Sequence, residues 1–334
     1  MANPVLVEVT RGGVVESVHR GAIAVYDADG GKLWEAGDTE RPVFPRSAVK
    51  AIQALPLVET GAADAYGFGD RELALACASH SGESEHVELA RAMLAKAGLD
   101  EAALECGAHW PNSHAATVAL ARAGGAPNAL HNNCSGKHAG FLCTCRHLDI
   151  DHRGYVAAGH REQELIRDAM EAITGAPHDD AHRGVDGCSI PTYAVPLKNL
   201  AHGFARMATG QGLGRERAAA ARRLMGACMA EPFLVSGTGR ADLRLMQAAP
   251  GRIFVKIGAE GVYCGALPEL GLGLAIKCDD GAGRGAETIV AALLARLYKA
   301  DTALSSTLME IATAAVESRV GARVGEVRPT AILA

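Results

Sequence analysis

A serine and a lysine three residues apart are the sharpest chemical feature of this sequence. They are Ser47 and Lys50, and Pro45 just before them suits the start of a helix. Residues three apart then share a face in its first turn. A serine hydroxyl needs a base within reach to act as a nucleophile, and a lysine of lowered pKa can supply one. Taken alone, so short a pattern is more often an N-cap serine beside a solvated lysine.

A second serine and a second lysine could complete the same chemistry. Ser79 opens the motif Ser-His-Ser-Gly-Glu directly after an apolar run, so the core anchors that motif. Lys256 lies in an apolar strand pattern, where Gly258 would let a backbone or a ligand approach closely. Penicillin-recognising serine enzymes use this order of S-x-x-K, polar serine motif and K-x-G. A helix end followed by an N-cap would explain one serine of the second motif, but not its whole polar cluster.

Two polar turns carry cysteines that could hold a metal. The first reads HNNCSGKH and contains Cys134, and the second reads VDGCSIP and contains Cys188. These thiolates could meet across a site and bind zinc with one nitrogen donor. His138 would be the ordinary third ligand, whereas Lys137 would need a strongly depressed pKa. Two lone cysteines so far apart in sequence are weak evidence for a metal.

Charged and amide side chains in the same turns could recognise an amino acid. Asp186 offers a carboxylate to an α-ammonium group, and Arg46 or His138 could meet an α-carboxylate. An Asx turn beside glycine is an equally good interpretation of Asp186. The residues expected to bind substrate are Arg46, Glu83, Asn133, His138 and Asp186. The segment 236–240 lacks the lysine and the strand-to-helix setting of a phosphate loop, so it is interpreted as a tight turn that could line the pocket.

The elements that must position these groups are strands at both ends of the chain and helices between them. Strand patterns cover 4–9, 14–18, 20–28 and 32–35, and they return at 252–257, 261–265 and 272–278. Helical periodicity covers 46–57, 71–79, 84–98, 112–124, 136–148, 158–174, 194–207 and 214–229, with closing helices near 284–300 and 303–318. Short turns join consecutive strands, so the sheet should be largely antiparallel. We predict an α/β (α+β) fold with one sheet of N- and C-terminal strands flanked by helices, as a single catalytic domain over 1–334.

Composition excludes several classes of partner. The net charge of −5 does not suit a nucleic-acid-binding protein. No stretch is long and apolar enough to cross a membrane, and the N-terminus does not resemble a secretory signal. Nine scattered cysteines are typical of buried thiols in a reducing compartment. We therefore expect a soluble cytoplasmic protein with a small-molecule substrate.

Together these segments resemble the L-asparaginase II family of the rhizobial type, also called class 3 asparaginases. The resemblance runs through nearly the whole chain and includes RSAVK at 46–50, SHSGE at 79–83, HNNCSGKHAG at 131–140, DGCSIP at 186–191, SGTGR at 236–240 and KIGAEG at 256–261. It implies a fold like the serine β-lactamases and glutaminases, and a homodimer. It also implies two serine–lysine pairs, Ser47 with Lys50 and Ser79 with Lys256, and a zinc site formed by Cys134, Lys137 and Cys188.

The expected reaction is hydrolysis of L-asparagine to L-aspartate and ammonia by acyl transfer. Ser47, activated by Lys50, attacks the side-chain amide carbon, and helix N–H groups with the second pair stabilise the oxyanion. Water then hydrolyses the β-aspartyl ester, and zinc would shape the pocket or orient substrate. The sequence leaves open which serine carries the acyl group. Alternatives are a glutaminase, a serine β-lactamase-like amidohydrolase, a metal hydrolase, or a non-catalytic amino-acid-binding protein.

Overall fold

The computed structural model describes residues 2–333 as an antiparallel sheet with helices packed against it. The strands are β1 (Val5–Arg11), β2 (Val14–Asp27), β3 (Lys32–Ala36), β4 (Pro42–Val43), β5 (Arg183–Val185), β6 (Pro191–Tyr193), β7 (Val195–Pro196), β8 (Phe254–Gly258), β9 (Val262–Leu267), β10 (Leu272–Cys278), β11 (Ala314–Glu317) and β12 (Arg323–Pro329). The main sheet has the order β11-β12-β1-β2-β10-β9-β8, and β3 pairs with β2. The pairs β4–β7 and β5–β6 lie outside it.

Helices fill the middle of the chain and close its end. They are α1 (Lys50–Gln53), α2 (Leu55–Glu59), α3 (Ala62–Ala65), α4 (Asp70–Ala76), α5 (Ser84–Lys96), α6 (His114–Arg122), α7 (Ser135–His147), α8 (Arg161–Thr174), α9 (Leu197–Thr209), α10 (Arg215–Ala230), α11 (Pro232–Ser236), α12 (Ala241–Ala248), α13 (Gly283–Leu297) and α14 (Thr302–Ala312). Within residues 2–333, no helix combines the length and the apolar character that a bilayer span requires.

The predicted fold class is confirmed, because strands from both ends of the chain build one antiparallel sheet. The central register joins β2 to β10 over seven residue pairs, from Leu272–Asp27 to Cys278–Gly21. Gly21 permits this pairing, because a Cβ atom there would lie 2.4 Å from the Lys277 carbonyl oxygen. One hydrophobic cluster runs from these strands into the surrounding helices. The single-domain interpretation stays a prediction.

Several element boundaries differ from the sequence prediction. The segments 14–18 and 20–28, expected as two strands, form the single strand β2. The helix expected over 303–318 ends at Ala312, and the next residues form β11 and β12. Pairing of β11 with β12 supplies backbone hydrogen bonds that outweigh the local helix propensity of the alanine-rich residues in β11.

The segment 46–57, predicted as one helix, is broken into three short pieces. A 3₁₀ turn over Arg46–Val49 leads into α1 and then α2. Pro56 lies in the first turn of the third piece, because it cannot donate the backbone hydrogen bond that a continuous helix would need there. The chain therefore changes direction around Ser47 and does not present it on a regular helix.

Candidate active site

Three lysine side chains are almost completely buried. Lys50 is 1% exposed, Lys137 is 2% exposed and Lys256 is 0% exposed. They come from the start of α1, the first turn of α7 and strand β8. Burying an ammonium group costs several kcal/mol unless it is paired and hydrogen-bonded. The contacts of each amine must therefore account for the burial of its lysine.

Lys50 reaches the second serine motif. Its Nζ donates to Ser79 Oγ at 2.9 Å and to Cys134 Sγ at 3.1 Å. It also donates to the Ala78 carbonyl oxygen. Ser47 is half-buried, and its hydroxyl has no hydrogen-bond partner among residues 2–333. The hydrogen bonds thus join Lys50 to Ser79 and do not show the expected pair of Ser47 with Lys50.

The turn that carries Ser47 is strained and is supported from below by β8. Arg46 has φ 52°, which is uncommon for a residue other than glycine. A Cβ atom at Gly258 would lie 2.4 Å from the Pro45 carbonyl oxygen, so only glycine lets the strand approach this turn. Lys256 lies two residues earlier and therefore on the same face of β8. The K-x-G spacing brings one amine and one close backbone contact to the same place.

Lys256 is held by its own strand and by one carboxylate. Its Nζ donates to the Ile257 carbonyl oxygen at 2.9 Å and lies 3.6 Å from Asp242 Oδ2. Burial lowers the pKa of Lys256 to about 8, although Asp242 opposes the shift. Within residues 2–333, Lys256 makes no hydrogen bond to Ser79, so the second expected pair is not seen either. An amine with this pKa can exchange protons near neutral pH.

The segment 236–240 packs directly on the Ser-His-Ser-Gly-Glu motif. Ser81 Oγ donates to the Ser236 carbonyl oxygen at 2.8 Å. Glu83 accepts from the Thr238 backbone N–H at 2.9 Å and from the Thr238 hydroxyl at 2.8 Å. Gly237 has φ 113°, and a Cβ atom there would lie 2.6 Å from Ser81 Oγ. Glu83, which was expected to bind substrate, thus braces this loop with both carboxylate oxygens.

The two cysteines that were expected to meet do meet. Cys134 and Cys188 are both buried, and the Lys137 amine lies 3.2 Å from Cys188 Sγ. A hydrogen bond from the Cys188 thiol, together with Lys50 and Lys137, holds the pKa of Cys134 well below its ordinary value. The same hydrogen bond and burial raise the pKa of Cys188. The structure therefore favours one thiolate and one thiol.

The donor atoms of this cluster are those that zinc prefers. Two sulfur atoms and one amine nitrogen converge, which suits a tetrahedral site with one position left for water. Burial by itself would lower the pKa of Lys137, but Cys188 and Cys134 raise it above the ordinary value. Metal binding would have to displace that proton and the thiol proton, as metal binding commonly does. The residues fit zinc in type.

His138 is fully buried beside this cluster. The Tyr155 hydroxyl lies 2.7 Å from His138 Nδ1, and it also accepts from the Glu105 backbone N–H at 3.0 Å. Because the Tyr155 oxygen already accepts from Glu105, its hydroxyl is placed to donate to Nδ1, and this assignment puts the ring proton on Nε2. His138 Nε2 has no partner among the described residues. Burial, with Lys137 and Lys50 nearby, keeps the pKa of His138 well below its usual range, so it is a neutral donor.

Arg46 and Asp186 neutralise each other at the edge of the site. Arg46 donates to Asp186 Oδ1 from Nη2 at 2.9 Å and from Nε at 3.1 Å. Burial would raise the pKa of Asp186, but the Arg46 hydrogen bond and Lys137 hold it below the ordinary value. Asn133 is half-buried, and its Oδ1 lies 3.5 Å from Cys134 Sγ. Arg46 and Asp186 together offer one cation and one anion to a zwitterionic ligand.

Sequence reasoning missed two buried groups that shape the site. Asp242 stands beside Lys256, yet a carboxylate in the first turn of a helix ordinarily indicates an exposed residue near the positive end of the helix. His80 accepts from the Gly82 backbone N–H at 3.1 Å and lies 2.9 Å from Ser135 Oγ. It ties the serine motif to α7. The burial of the apolar run before Ser79 was the available signal for His80, and none pointed to Asp242.

A second group of possible metal ligands lies away from these residues. His19, Cys278 and Asp280 place one ligand atom each within 4.8 Å of one another. Arg284 Nε donates to His19 Nε2 at 3.0 Å, so the ring proton is on Nδ1. His19 Nδ1 then donates to Asp280 at 2.6 Å. That nitrogen is not available to a metal, so the ligand-like spacing reflects a completed hydrogen-bond network.

A serine hydroxyl bonded to a buried lysine, within a sheet-and-helix fold, defines the kind of site used in nucleophilic catalysis. The family model described as L-asparaginase II matches residues 7–329. The chain belongs to the L-asparaginase II family.

Solved structures with a related architecture are distant. The native form of the protein named Mglu is 18% identical with a TM-score of 0.47, and the match covers 85% of this chain and 64% of Mglu. A β-lactamase from Mycobacterium bovis is 14% identical with a TM-score of 0.44, over 83% of this chain and 94% of the β-lactamase. At these scores the likenesses carry no argument about function. No curated protein matches the sequence.

Proposed function

We propose that this chain is an L-asparaginase of the rhizobial type, which hydrolyses L-asparagine to L-aspartate and ammonia through a serine–lysine acyl-transfer mechanism. The observation that carries the proposal is the 2.9 Å hydrogen bond between Lys50 Nζ and Ser79 Oγ. It joins a nucleophile-type hydroxyl to a proton-carrying amine, and both are buried. Family membership supplies the amide bond as the target.

In the proposed mechanism, Ser47 attacks the side-chain amide carbon of the substrate. Its hydroxyl is half-buried and without a partner in the described part of the chain, so it is free to turn towards a ligand. Lys50 in its neutral form, linked to Ser79, accepts the Ser47 proton and then delivers it to the departing ammonia. Lys256 acts as the general base for the water that hydrolyses the acyl ester.

Substrate is held by charges that the protein already presents. The α-carboxylate replaces Asp186 on Arg46, and the α-ammonium group takes up the released Asp186 carboxylate. His138 donates its Nε2–H as a neutral group, and Asn133 offers an amide at the same wall. Glu83 acts indirectly, because it holds the loop at Thr238.

Zinc is part of the proposal as a bound ion. Cys134, Lys137 and Cys188 would hold it, and when bound it would polarise an oxygen of the ligand and orient the substrate. We expect about one zinc per chain in purified protein, lost in Cys188→Ala, as measured by elemental analysis. A wild-type protein without zinc after expression with added zinc would refute this part. Full activity in metal-free protein would exclude direct attack by zinc-bound water.

Two further parts of the proposal concern the setting of the enzyme. We infer a homodimer, which light scattering would test. We also infer a cytoplasmic location, because all nine cysteines are free and buried, as a reducing compartment allows. The acidic net charge supports the absence of a nucleic-acid partner.

Ammonia release from L-asparagine and from L-glutamine, and the colour change of the chromogenic cephalosporin nitrocefin, test the proposed reaction. We expect turnover of asparagine alone. Faster turnover of glutamine would make the protein a glutaminase, and turnover of nitrocefin would make it a β-lactamase-like enzyme. Binding of asparagine without ammonia release would indicate an amino-acid-binding protein.

The acyl-enzyme locates the nucleophile. Acid quenching during turnover, followed by peptide mass spectrometry, should find the β-aspartyl adduct on Ser47. An adduct on Ser79 would move the attack to that serine and retain Lys50 as its base. Repeated trapping without an adduct on either serine would end the acyl-transfer mechanism.

A further inference from the structure

A buried carboxylate lies beneath the proposed site and has no assigned role. Asp242 is 1% exposed, and its Oδ2 accepts from the Ile257 backbone N–H at 3.2 Å. The same oxygen lies 3.6 Å from Lys256 Nζ, which itself donates to the Ile257 carbonyl oxygen. The backbone N–H and the backbone carbonyl of Ile257 in β8 are thereby held by the two members of one charged pair.

The pair is not saturated with hydrogen bonds. Asp242 Oδ1 and the Tyr263 hydroxyl are both buried without a well-formed hydrogen bond among residues 2–333, although Tyr263 lies close enough to Asp242 for that carboxylate to raise the pKa of Tyr263. An ammonium group has three donors, and the structure accounts for one of them at Ile257. A buried pair that served only as a brace would be expected to satisfy its polar atoms, because unsatisfied buried polar atoms are costly.

The surroundings of the pair are crowded with ionisable groups. Those near Lys256 or Asp242 come from separate elements and are Lys50, Cys134, Cys228, Arg240, Tyr263 and Glu287. Lys50 and Arg240 disfavour a proton on Lys256, and burial disfavours it more strongly. Among the groups that favour the proton, Asp242 has the largest effect.

We propose that Asp242 is a positioning residue for Lys256, whose carboxylate holds the buried amine in place and retains its exchangeable proton. The inference rests on the proposed function, in which Lys256 takes part in proton transfer. Asp242 acts through Lys256 and does not touch the substrate. Because β8 also supports the strained Ser47 turn through Gly258, the same contact keeps the amine and the turn in one register.

Asp242→Asn separates charge from shape. The amide oxygen can still accept from Ile257, whereas the negative charge is gone. A charge within about 4–6 Å commonly shifts a pKa by 1–3 units. We expect the limb of the pH profile of kcat/KM that belongs to Lys256 to move at least about one unit towards acid. The direction is the same whether Lys256 acts as base or as acid, because either role follows its pKa.

A double-mutant cycle distinguishes positioning from bracing. In a Lys256→Met background, Asp242→Asn should cause no further loss of kcat/KM. Asp242→Glu should return the limb towards the wild-type pH. Glu162→Gln is the matched control, since Glu162 is a fully buried carboxyl on α8, and its removal should leave the limb in place. An unmoved limb in Asp242→Asn, or an equal loss in both backgrounds, would overturn the proposal.

A direct titration makes the test independent of catalysis. The Lys256 Cε signal in a ¹³C-lysine-labelled protein is assigned by its absence in the Lys256→Met/Asp242→Asn variant, which leaves no unpaired charge in the core. We expect its midpoint to fall in Asp242→Asn, and an unchanged midpoint would refute the pairing. If the wild type releases no ammonia from asparagine, the proposed function fails, while this titration still decides the role of Asp242.

Discussion

Two regions of this molecule place a buried cysteine against charged or ionisable groups, and they differ in how completely their polar groups are paired. In the site cluster, the Lys50 amine donates to Ser79 and to Cys134, and a second amine lies against Cys188. In the second region, the Cys278 thiol lies 3.1 Å from Asp280, which also accepts from His19. Arg284 completes that network by donating to His19.

The difference shows why spacing of residue types does not define a site. In the second region each charged or polar group has a complementary partner, and nothing remains to bind a ligand. In the site cluster, Ser47 has no hydroxyl partner and His138 Nε2 has none, as far as the described residues go. Incomplete satisfaction of buried polar groups is costly, and within a cluster of ionisable side chains it is a reason to expect a ligand.

The largest expected effect is the loss of activity in Lys50→Met. Removing the amine that joins Ser79 to Cys134 should lower kcat/KM by about 10³–10⁴-fold, as loss of acid–base catalysis does. Steady-state ammonia release measures it, with circular dichroism as the check on folding. His19→Gln is the comparison variant and should retain kcat/KM within about twofold, because its network carries no chemistry. Equal losses of kcat/KM in both variants would contradict the conclusion that only the site cluster takes part in the reaction.

A smaller effect is expected at the charged edge of the site. Asp186→Asn should raise KM for asparagine about 10–100-fold, because one charge-assisted hydrogen bond contributes about 1.5–3 kcal/mol. The change in kcat should be smaller, since Asp186 does not contact the reacting carbon in this proposal. Substrate titrations with the variant and with Asp179→Asn, an exposed aspartate, provide the measurement and the control. A kcat effect larger than the KM effect would argue against a binding role.

Glu162 is a buried carboxyl outside the proposed site, and it shows how much the burial of a carboxyl costs in stability. Burial raises the pKa of Glu162 to about 8, so this side chain is protonated in the folded protein at pH 5. The protein therefore loses stability as the pH rises from about 4.5 towards 8. Glu162→Gln removes this dependence and should make the protein about 2 kcal/mol more stable than the wild type at pH 8. Urea unfolding at pH 5 and pH 8 tests this. A pH slope that survives in the variant would mean that other groups cause it.

The smallest effect is expected in the second region. The backbone N–H of Ala282, Cys278 and His19 outweigh burial and lower the pKa of Asp280 to about 2. Its contribution to stability is therefore present at neutral pH and is lost as the pH falls from about 4 towards 2. Asp280→Asn should flatten that acid limb, with a cost at pH 7 below about 1 kcal/mol because the carboxylate is half-exposed. Thermal unfolding between pH 2 and pH 7 would show it, and an unchanged acid limb would contradict the assignment.

The sequence by itself predicted what depends on short-range pattern. Alternating strand signals at both ends of the chain predicted the antiparallel sheet, and the glycine of the K-x-G element predicted a close backbone approach, which Gly258 makes at Pro45. Both of these predictions rest on local periodicity or on the small size of glycine. The meeting of Cys134 and Cys188 was implied by the family resemblance and not by their spacing.

Only the tertiary structure decided which partner each long side chain takes. Lys50 bonds to Ser79, 29 positions away, and to Cys134, 84 positions away, although Ser47 is three residues from it. Asp242 reaches Lys256 only because α12 and β8 pack together, and β12 is a strand only because β1 offers it an edge. A lysine has four methylenes of reach and little local preference, so the packed elements around it select its contact. Local sequence does not encode that selection, because the competing partners come from distant segments.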